Sequence, residues 1–408
     1  MIRDLKTLWG NPRFRLFMSS RFISNVGNGL MPIALAFGVL SLKGADATDL
    51  SYVTTSQMLP IVLFLLIGGV MADRFGRAHL VGGTDIIGSF VVGTMGILFM
   101  THHASVLLLC IAGVVYGTLN ALWYPAFSGM MPEIVDEPHL QSANSIVGFA
   151  ANIGFTLGTA SAGIIVGTVG AGWAILGNGI SFLLAGLLVW QLRLPGEGIR
   201  QTDRQTERES MLHQLREGWH GFSTRSWLVV IVASGAVYNM CFEGFLGVLA
   251  PLQMKLEYSG ASDMSWMMSG WGLGGIIGVL VALRIRPKRP LVAAVALTPI
   301  IGLWMLATGL KFPLPALVIL AVGSGIALDT FYVLWLTTMQ REIPEDIRSR
   351  VGAYDAFGSS LFAPLGLFLA GPIATWAGAS GTLIVVGIIV AVAWISTLLS
   401  RGVRSVSA

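Results

Sequence analysis

The stretch Gly68-Gly-Val-Met-Ala-Asp-Arg-Phe-Gly-Arg77 is a short polar turn between two long apolar runs, roughly 50–72 and 79–100. A helix needs about 20 mostly apolar residues to cross the hydrocarbon core of a bilayer, and each run is long enough. The same alternation of long apolar runs and short polar turns continues along the chain. We therefore expect a polytopic membrane protein.

The turn itself carries residues with separate physical roles. Gly69 and Gly76 permit close packing and a tight turn. Asp73 can pair with a basic residue or stabilise a helix N-terminus. Arg74 and Arg77 favour the anionic cytoplasmic surface of a membrane. Taken alone, these five residues could also form an ordinary polar turn.

Composition supports lipid as the solvent of this chain. Of 408 residues, 54% are hydrophobic and 11% are charged, whereas soluble domains carry about 25% charged residues. The apolar runs lack the alternation of barrel strands, so helices are expected. The twelve predicted spans are roughly 14–42, 50–72, 79–100, 105–128, 143–169, 173–193, 226–253, 264–284, 291–310, 315–340, 351–376 and 380–400.

Lys and Arg residues predict the orientation of these spans. If both termini are cytoplasmic, the outer loops contain only Lys43, Lys255 and Lys311 of the 25 basic residues. We therefore expect a multi-pass protein of the cytoplasmic (inner) membrane with both termini inside. The basic residues are divided among short loops without a continuous basic stripe, so nucleic-acid binding is not indicated.

The longest polar stretch, 194–225, divides the spans into two groups of six. We expect six-helix bundles at 1–193 and 226–408, joined by a linker with an amphipathic helix on the cytoplasmic face. Similar loops follow spans four and ten, at Met131-Pro-Glu-Ile and Arg341-Glu-Ile-Pro. They indicate an internal repeat, which is the architecture of alternating-access carriers.

The turn at Gly68–Arg77 resembles the signature of the major facilitator superfamily at this same loop. The resemblance implies that Gly69, Asp73, Arg74, Gly76 and Arg77 form a cytoplasmic gate motif. Gly154–Gly163 in span five looks like the glycine motif of the superfamily's exporters. The segments similar to its macrolide-efflux and enterobactin-exporter branch are Pro125-Ala-Phe, Met131-Pro-Glu, Leu140–Ser145, Glu217–Phe222 and Gly270–Gly278 in span eight. The resemblance implies a major facilitator fold, an all-α membrane protein of twelve transmembrane helices in two six-helix pseudo-repeats. It also implies a secondary transporter that exports drugs, macrolides or siderophores by proton antiport.

Other functions stay open. Proton-coupled uptake of a nutrient or metabolite is the alternative within transport, and a membrane enzyme or scaffold is a distant one. No nucleophile elbow, Walker sequence or HExxH motif is present in the sequence, so an enzyme is not expected. Neither Cys110 nor Cys241 belongs to a cysteine or Cys/His cluster, so we expect no metal and no cofactor. We expect a monomer in the bilayer, with a small molecule and protons as its other partners.

The chain departs from the resemblance at three positions. Thr159 replaces the proline of the exporters' glycine motif, so close packing of small residues is an equal explanation of Gly154–Gly163. Gly113 stands where many drug:proton antiporters have an arginine in span four. Asn28 stands where relatives often have an aspartate in span one. These changes weaken the transfer of a detailed coupling mechanism.

Charged residues within predicted spans are functional candidates, because an ionised side chain at the bilayer centre costs at least ~2.5–3.5 kcal/mol. Glu243 and Asp329 lie deep in spans seven and ten, where burial disfavours the charged form of a carboxyl group, as proton carriage requires. We expect them to act in coupling or in binding a cationic substrate, and the alternative is a hydrogen-bonded core carboxyl. Arg21, Asp85 and Asp355 lie nearer span ends. Asp85 and Asp355 are expected to be gate or structural partners of Arg74, Arg77 or Arg350, and Arg21 to snorkel toward the inner interface.

Polar and aromatic residues in the spans are candidates for a substrate cavity that suits an amphipathic, partly aromatic molecule. The alternative for aromatic residues near span ends is anchoring at the membrane interface. The cavity candidates are Asn25, Asn28, Asn120, Trp123, Tyr124, Asn152, Tyr238, Asn239, Phe242, Tyr332 and Trp335.

Overall fold

The computed structural model describes residues 7–192 and 211–407, excluding the side chains of 65–75, 211–215, 346 and 349. The described chain is almost entirely helical, and it forms two compact units. Unit one contains the described residues within Met1–Arg204 and Met254–Ser269, and unit two those within Gln205–Gln253 and Gly270–Ala408. The expected bundles at 1–193 and 226–408 stay a prediction, and residues 194–210 of the expected linker lie outside the described residues.

The first six predicted spans are single helices. In chain order, spans one to six are Pro12–Leu40, Ala47–Phe75, Arg77–Met100, Val106–Ser128, Leu140–Thr168 and Ala171–Trp190.

Spans seven to twelve include helices with internal breaks. Span seven is Ser226–Gly244, the π-helix Phe245–Leu249 and Ala250–Glu257; span eight is Ala261–Arg284; span nine is Pro290–Leu297 with Pro299–Gly309; span ten is Leu314–Glu342; span eleven is Glu345–Ser360 with Ala363–Ala377; and span twelve is Ala379–Leu399. The short helices Met131–Ile134 and Arg401–Ser405, the single-turn 3₁₀ helix Glu137–His139 and the helix Met211–Ser223 lie outside the spans.

The helix lengths confirm the membrane fold. Within 7–192 and 211–407, eleven helices are long and apolar enough to cross a bilayer. The remaining predicted span, Ala47–Phe75, is a helix of 29 residues, which at 1.5 Å per residue also exceeds the hydrocarbon thickness. These eleven helices and Ala47–Phe75 together match the twelve spans that the apolar runs predict.

Local sequence sets where the helices begin. The Asn11 side chain accepts hydrogen bonds from the backbone N–H groups of Arg13 and Phe14 at the start of span one, which satisfies donors that lack a partner in the helix. Span two begins with a capping box of Asp46 and Asp49. Between spans two and three Gly76 has φ 82°, a conformation that glycine adopts without a steric cost.

Small residues of span five allow it to pack directly against span one. A Cβ atom at Gly154 would lie 2.7 Å from the Phe22 carbonyl oxygen, and one at Gly158 would lie 2.9 Å from the Cα of Gly29. Span five also continues as one helix through Thr159. The glycines of Gly154–Gly163 therefore serve close helix packing, which is the simpler of the two explanations above.

Replacing Gly158 by leucine should destabilise unit one. The new side chain would have to enter the backbone contact with span one, and overpacking of this kind costs about 1–3 kcal/mol. The matched control is Gly167→Ala in the same helix, where a Cβ meets nothing within 4 Å. Thermal unfolding in detergent measures both variants. A melting temperature for Gly158→Leu equal to that of the control would contradict this packing.

The helix Met211–Ser223 is amphipathic, as its sequence predicts, and it docks within unit two. Glu217 pairs with Arg350 of span eleven. Gly218 lies against Arg350 and Tyr354, and a Cβ there would be 3.1 Å from the Tyr354 ring. Trp219 packs edge-on against the same ring, with centroids 5.6 Å apart. The linker helix therefore belongs structurally to the second unit.

Candidate functional site

A cavity of about 410 Å³ opens into unit one between spans one, three, four, five and six. This volume falls within the usual range of small-molecule sites, roughly 300–1,000 Å³. The wall combines aromatic rings, amides and one pair of opposite charges. The cavity is lined by Phe17, Arg21, Ser24, Asn25, Asn28, Thr84, Asp85, Gly88, Tyr116, Leu119, Asn120, Trp123, Tyr124, Phe127, Ser128, Met131, Asn144, Val147, Gly148, Ala151 and Phe182.

Helical spacing brings the two longest walls of the cavity together. Span one contributes Phe17, Arg21, Ser24, Asn25 and Asn28, and span four contributes Tyr116, Leu119, Asn120, Trp123, Tyr124, Phe127 and Ser128. Successive residues of each set are one, three or four positions apart, which keeps each set on one face of its helix. The same periodicity would have identified Phe17, Tyr116 and Phe127 from the sequence.

The charged pair of the cavity consists of Arg21 and Asp85. Their side chains are buried, with 5% and 7% of the residue surface exposed. The two charges interact electrostatically, but no direct ion pair or hydrogen bond joins them. Arg21 Nη1 and Asp85 Oδ2 are buried without a hydrogen-bond partner among the described residues.

Aromatic rings of span four hold the Arg21 guanidinium in place. Its central carbon lies 4.5 Å from the centroid of the Trp123 ring and 4.8 Å from that of Phe127. These two rings stack on each other at 4.6 Å, and Phe127 stacks on Phe17 at 5.3 Å. Arg21 is therefore bound against an aromatic surface by cation–π contacts, and the expectation that it snorkels to the interface is wrong.

Most of the expected cavity residues of the first half lie together here. Asn25, Asn28, Asn120, Trp123 and Tyr124 all line the cavity. Asn152 does not: it is exposed, and Gly148 and Ala151 occupy the cavity face of span five instead. Asn144 was not anticipated, although it lies four residues before Gly148 on the same helical face.

Gly113 shows why span four has no arginine at the position noted above. A side chain there would collide with the Ser56 hydroxyl of span two, and one at Gly117 with the Gln57 carbonyl oxygen. Spans two and four thus pack too closely to admit a long side chain. Arg21 of span one supplies the positive charge of the cavity instead.

In the gate motif the described side chain is that of Arg77. It donates to the Gly129 carbonyl oxygen at 2.6 Å and pairs with Glu133 at 3.0 Å, which ties the turn to the loop after span four. Arg77, which was an expected partner of Asp85, is thus bound to the loop after span four. Asp85 interacts with Arg21 of span one. The side chains of Asp73 and Arg74 lie outside the described residues, and so does the environment of Gly69.

Unit two holds a second group of polar residues in its spans. Glu243 lies at the end of the first helix of span seven, directly before the π-helix Phe245–Leu249, and such π segments are frequent at functional sites. The Tyr238 hydroxyl interacts electrostatically with both Glu243 and Asp329. Phe242 stacks on the Tyr238 ring at 5.0 Å. The deep carboxylates of spans seven and ten therefore both act electrostatically on one buried tyrosine.

The glycine-rich span eight makes room for Asp329. The Asp329 carboxylate lies against Gly275, and its Cβ would be 3.2 Å from a Cβ at Gly278. Any side chain at Gly275 would occupy the place of the carboxylate. The glycines of Gly270–Gly278 thus explain how a carboxylate is accommodated within the helix packing.

Replacing Gly275 by alanine should displace the Asp329 carboxylate. The polypeptide should still fold, because the displaced group is the end of a side chain and can rotate. If Asp329 takes part in transport, we expect a several-fold loss of transport rate at unchanged expression. The matched control is Gly381→Ala in the same unit, where a Cβ meets nothing within 4 Å. Equal transport rates for Gly275→Ala and Gly381→Ala would contradict a role of Asp329 in transport.

Asp355 has structural partners. Its Oδ2 accepts a hydrogen bond from Trp335 Nε1 at 3.1 Å, and its Oδ1 lies 3.5 Å from the Ser359 hydroxyl. The expected Arg350 partner pairs with Glu217 instead. Asn239 donates to the Ser359 carbonyl oxygen at 3.0 Å.

Trp335 is bound to this network, whereas Tyr332, three residues before it, is exposed. The expected cavity role of the unit-two residues Tyr238, Asn239, Phe242, Tyr332 and Trp335 stays a prediction.

Two relatives with a named activity match most of this chain. "Multidrug efflux pump Tap" of Mycolicibacterium fortuitum is 28% identical over 388 residues, which cover 90% of each protein. "Staphyloferrin A transporter" of Staphylococcus aureus is 25% identical over 272 residues, 65% of this chain and 66% of that protein.

Solved structures resemble the fold. The nucleoside transporter NupG has a TM-score of 0.74 at 12% identity, covering 95% of this chain and 100% of that one. A bacterial homologue of the iron transporter ferroportin in its inward-facing state has a TM-score of 0.71 at 12% identity, with coverage of 95% and 99%. The sequence profile of the Major Facilitator Superfamily matches residues 16–351. The chain is a multi-pass membrane transporter of small molecules and belongs to the Major Facilitator Superfamily.

Proposed function

We propose that this transporter exports amphipathic small molecules, of drug, macrolide or siderophore type, by proton antiport. The observation that carries the proposal is the unit-one cavity, which combines aromatic walls, amide side chains and the buried charges of Arg21 and Asp85. An apolar wall with a few polar groups binds amphipathic ligands without demanding one exact structure. The named efflux and siderophore relatives support the same class.

Proton coupling requires a carboxyl group that can bind a proton within the transport path. The candidates within the spans are Asp85 in the cavity, Glu243 and Asp329, which act electrostatically on Tyr238, and Asp355, which is hydrogen-bonded to Trp335. Antiport follows when the protein carries a proton in one half of the cycle and a substrate in the other, with each ligand bound at its own group. We assign Asp85 to substrate binding and Glu243 to proton binding.

The transport cycle in this proposal is alternating access, in which the halves 1–193 and 226–408 move against each other around a central site. The turn Gly68–Arg77, with Gly69, Asp73, Arg74, Gly76 and Arg77, acts as a latch on the cytoplasmic side. Both termini are cytoplasmic in this arrangement.

The test is the transport of a fluorescent cationic dye in inside-out membrane vesicles. An imposed proton gradient, acid inside, should drive dye into vesicles that contain the protein and not into vesicles from cells without it. Collapse of the gradient with an ionophore should release the dye. Dye accumulation that ignores the proton gradient would contradict proton antiport.

Uptake of a nutrient or metabolite is the second candidate. A proton-coupled uptake carrier would move its substrate in the same direction as protons. In the inside-out vesicles this predicts loss of a preloaded substrate when protons leave. The direction of movement therefore separates the two candidates with one preparation.

A further inference from the structure

We propose that Arg21 is a built-in occupant of a cation-binding site in the unit-one cavity, formed by Asp85, Trp123 and Phe127, and that cationic substrates displace it. The inference rests on the proposed function, because it names the substrate class of the same cavity. The ligands it predicts are organic cations with an apolar body, such as quaternary phosphonium, tertiary amine or alkylguanidinium compounds.

The groups around Arg21 have the chemistry of a receptor for organic cations. Aromatic faces attract cations through their quadrupole, and a carboxylate adds a full negative charge. The Arg21 guanidinium carbon lies 4.5 Å from the Trp123 centroid and 4.8 Å from that of Phe127, and it interacts electrostatically with Asp85. A side chain of the protein thus occupies the position that a ligand cation would take.

The occupant is incompletely bound, which makes it replaceable. Buried Arg21 Nη1 and Asp85 Oδ2 both lack a hydrogen-bond partner among the residues described, and the polar group of the cavity that acts on Asp85 besides Arg21 is the Trp123 indole N–H. Buried charges are costly when they are imperfectly paired. A ligand cation that reaches Asp85 directly would make a contact that Arg21 does not make.

The rest of the cavity suits the body of such a ligand. The amide side chains of Asn25, Asn28, Asn120 and Asn144 line the same cavity as the aromatic rings. The opposite assignment is that Arg21 binds an acidic group of the substrate. The Asp85 carboxylate beside it would repel such a group, so the cation is favoured.

The test measures equilibrium binding of tetraphenylphosphonium to the purified full-length chain in detergent, for wild type and Arg21→Ala. Removing the occupant should tighten binding by about tenfold, which corresponds to about 1.4 kcal/mol. Asp85→Asn should weaken binding, and the double variant Arg21→Ala/Asp85→Asn should show no gain. The matched control is Arg15→Ala, which removes an exposed arginine from the same helix and should leave the affinity unchanged.

Tetraphenylborate, an anion of the same shape, distinguishes the opposite assignment. If Arg21 receives an acidic group, Arg21→Ala loses affinity for the anion and gains none for the cation. That result would overturn the proposal. An equal gain of cation affinity in Arg15→Ala would also overturn it, because the effect would then be one of net charge.

A second variant decides the matter if Arg21→Ala does not fold. Trp123→Leu removes one aromatic face and keeps both charges, so tetraphenylphosphonium should bind several-fold more weakly. Unchanged affinity in Trp123→Leu would overturn the proposal. The binding experiment and the dye-transport experiment can fail independently. Gradient-driven dye transport by the wild-type protein would support export even if Arg21→Ala did not bind the cation more tightly. Absence of that transport would contradict export, whatever the affinity of Arg21→Ala.

Discussion

Asparagine in place of Asp85 is expected to reduce proton-driven dye transport by at least about tenfold, which corresponds to about 1.4 kcal/mol or more. The side chain keeps its shape but loses the charge that faces Arg21 in the cavity. The matched control is Glu137→Gln, which neutralises an exposed carboxylate in the loop after span four. Initial rates in inside-out vesicles, normalised to the amount of protein, measure both variants.

The same substitution has a consequence for stability. Without Asp85, Arg21 stays buried with no opposite charge, and removal of one partner of a buried pair is destabilising. The melting temperature in detergent should therefore fall for Asp85→Asn and recover in Arg21→Ala/Asp85→Asn, while transport should not recover. Full transport by Asp85→Asn at normal expression would contradict the role of the cavity.

Glutamine in place of Glu243 is expected to uncouple transport rather than to abolish binding. The amide cannot carry a proton, so accumulation of dye against its gradient should fall to the level seen with an ionophore. Exchange of dye for dye across the membrane should persist, because the unit-one cavity is unchanged. This split between accumulation and exchange is what distinguishes a coupling residue from a structural one.

The measurement compares accumulation and exchange in one set of proteoliposomes. Glu345→Gln, which changes an exposed carboxylate at the start of the first helix of span eleven, is the control and should behave as wild type. Loss of both activities in Glu243→Gln with the melting temperature unchanged would place Glu243 in binding. Retention of both would remove it from the mechanism.

The membrane fold is predictable from sequence because span length and apolarity are local properties. The runs at 14–42 and 105–128 appear as Pro12–Leu40 and Val106–Ser128, within a few residues at each end. The tight turn at Gly76 was equally predictable, since its φ of 82° suits glycine. The breaks within spans nine and eleven lie beside Pro299 and Pro364, where proline removes a backbone donor of the helix, whereas no residue pattern marks the π-helix of span seven.

The cavity was predictable in part. Asn25, Asn28 and Trp123 stand out as polar or aromatic residues within apolar spans, and helical spacing places them on common faces. The electrostatic interaction of Arg21 with Asp85 involves spans one and three and could not be read from either span alone. Burial of Arg21 against Trp123 also reverses the expected snorkelling, because the aromatic face provides an alternative to the interface.

The reason for the missing arginine in span four likewise lies in tertiary packing. The sequence shows Gly113 at that place, but only the contact with Ser56 explains why a long side chain is excluded. Arg77 is a similar case, since its bond to Glu133 links two loops that are distant in sequence. Contacts between spans, rather than patterns within them, carry most of the information about the site.

The most direct test of the proposed export follows protons and substrate together in sealed proteoliposomes that contain a pH-sensitive dye. Addition of tetraphenylphosphonium to one side of the membrane, with no initial pH difference, should drive protons toward that side as the cation leaves it. Proton movement in the opposite direction to the substrate, absent in Glu243→Gln and in protein-free liposomes, is the result that proton antiport predicts. Protons that move in the same direction as the substrate, or substrate flux without proton movement, would contradict it.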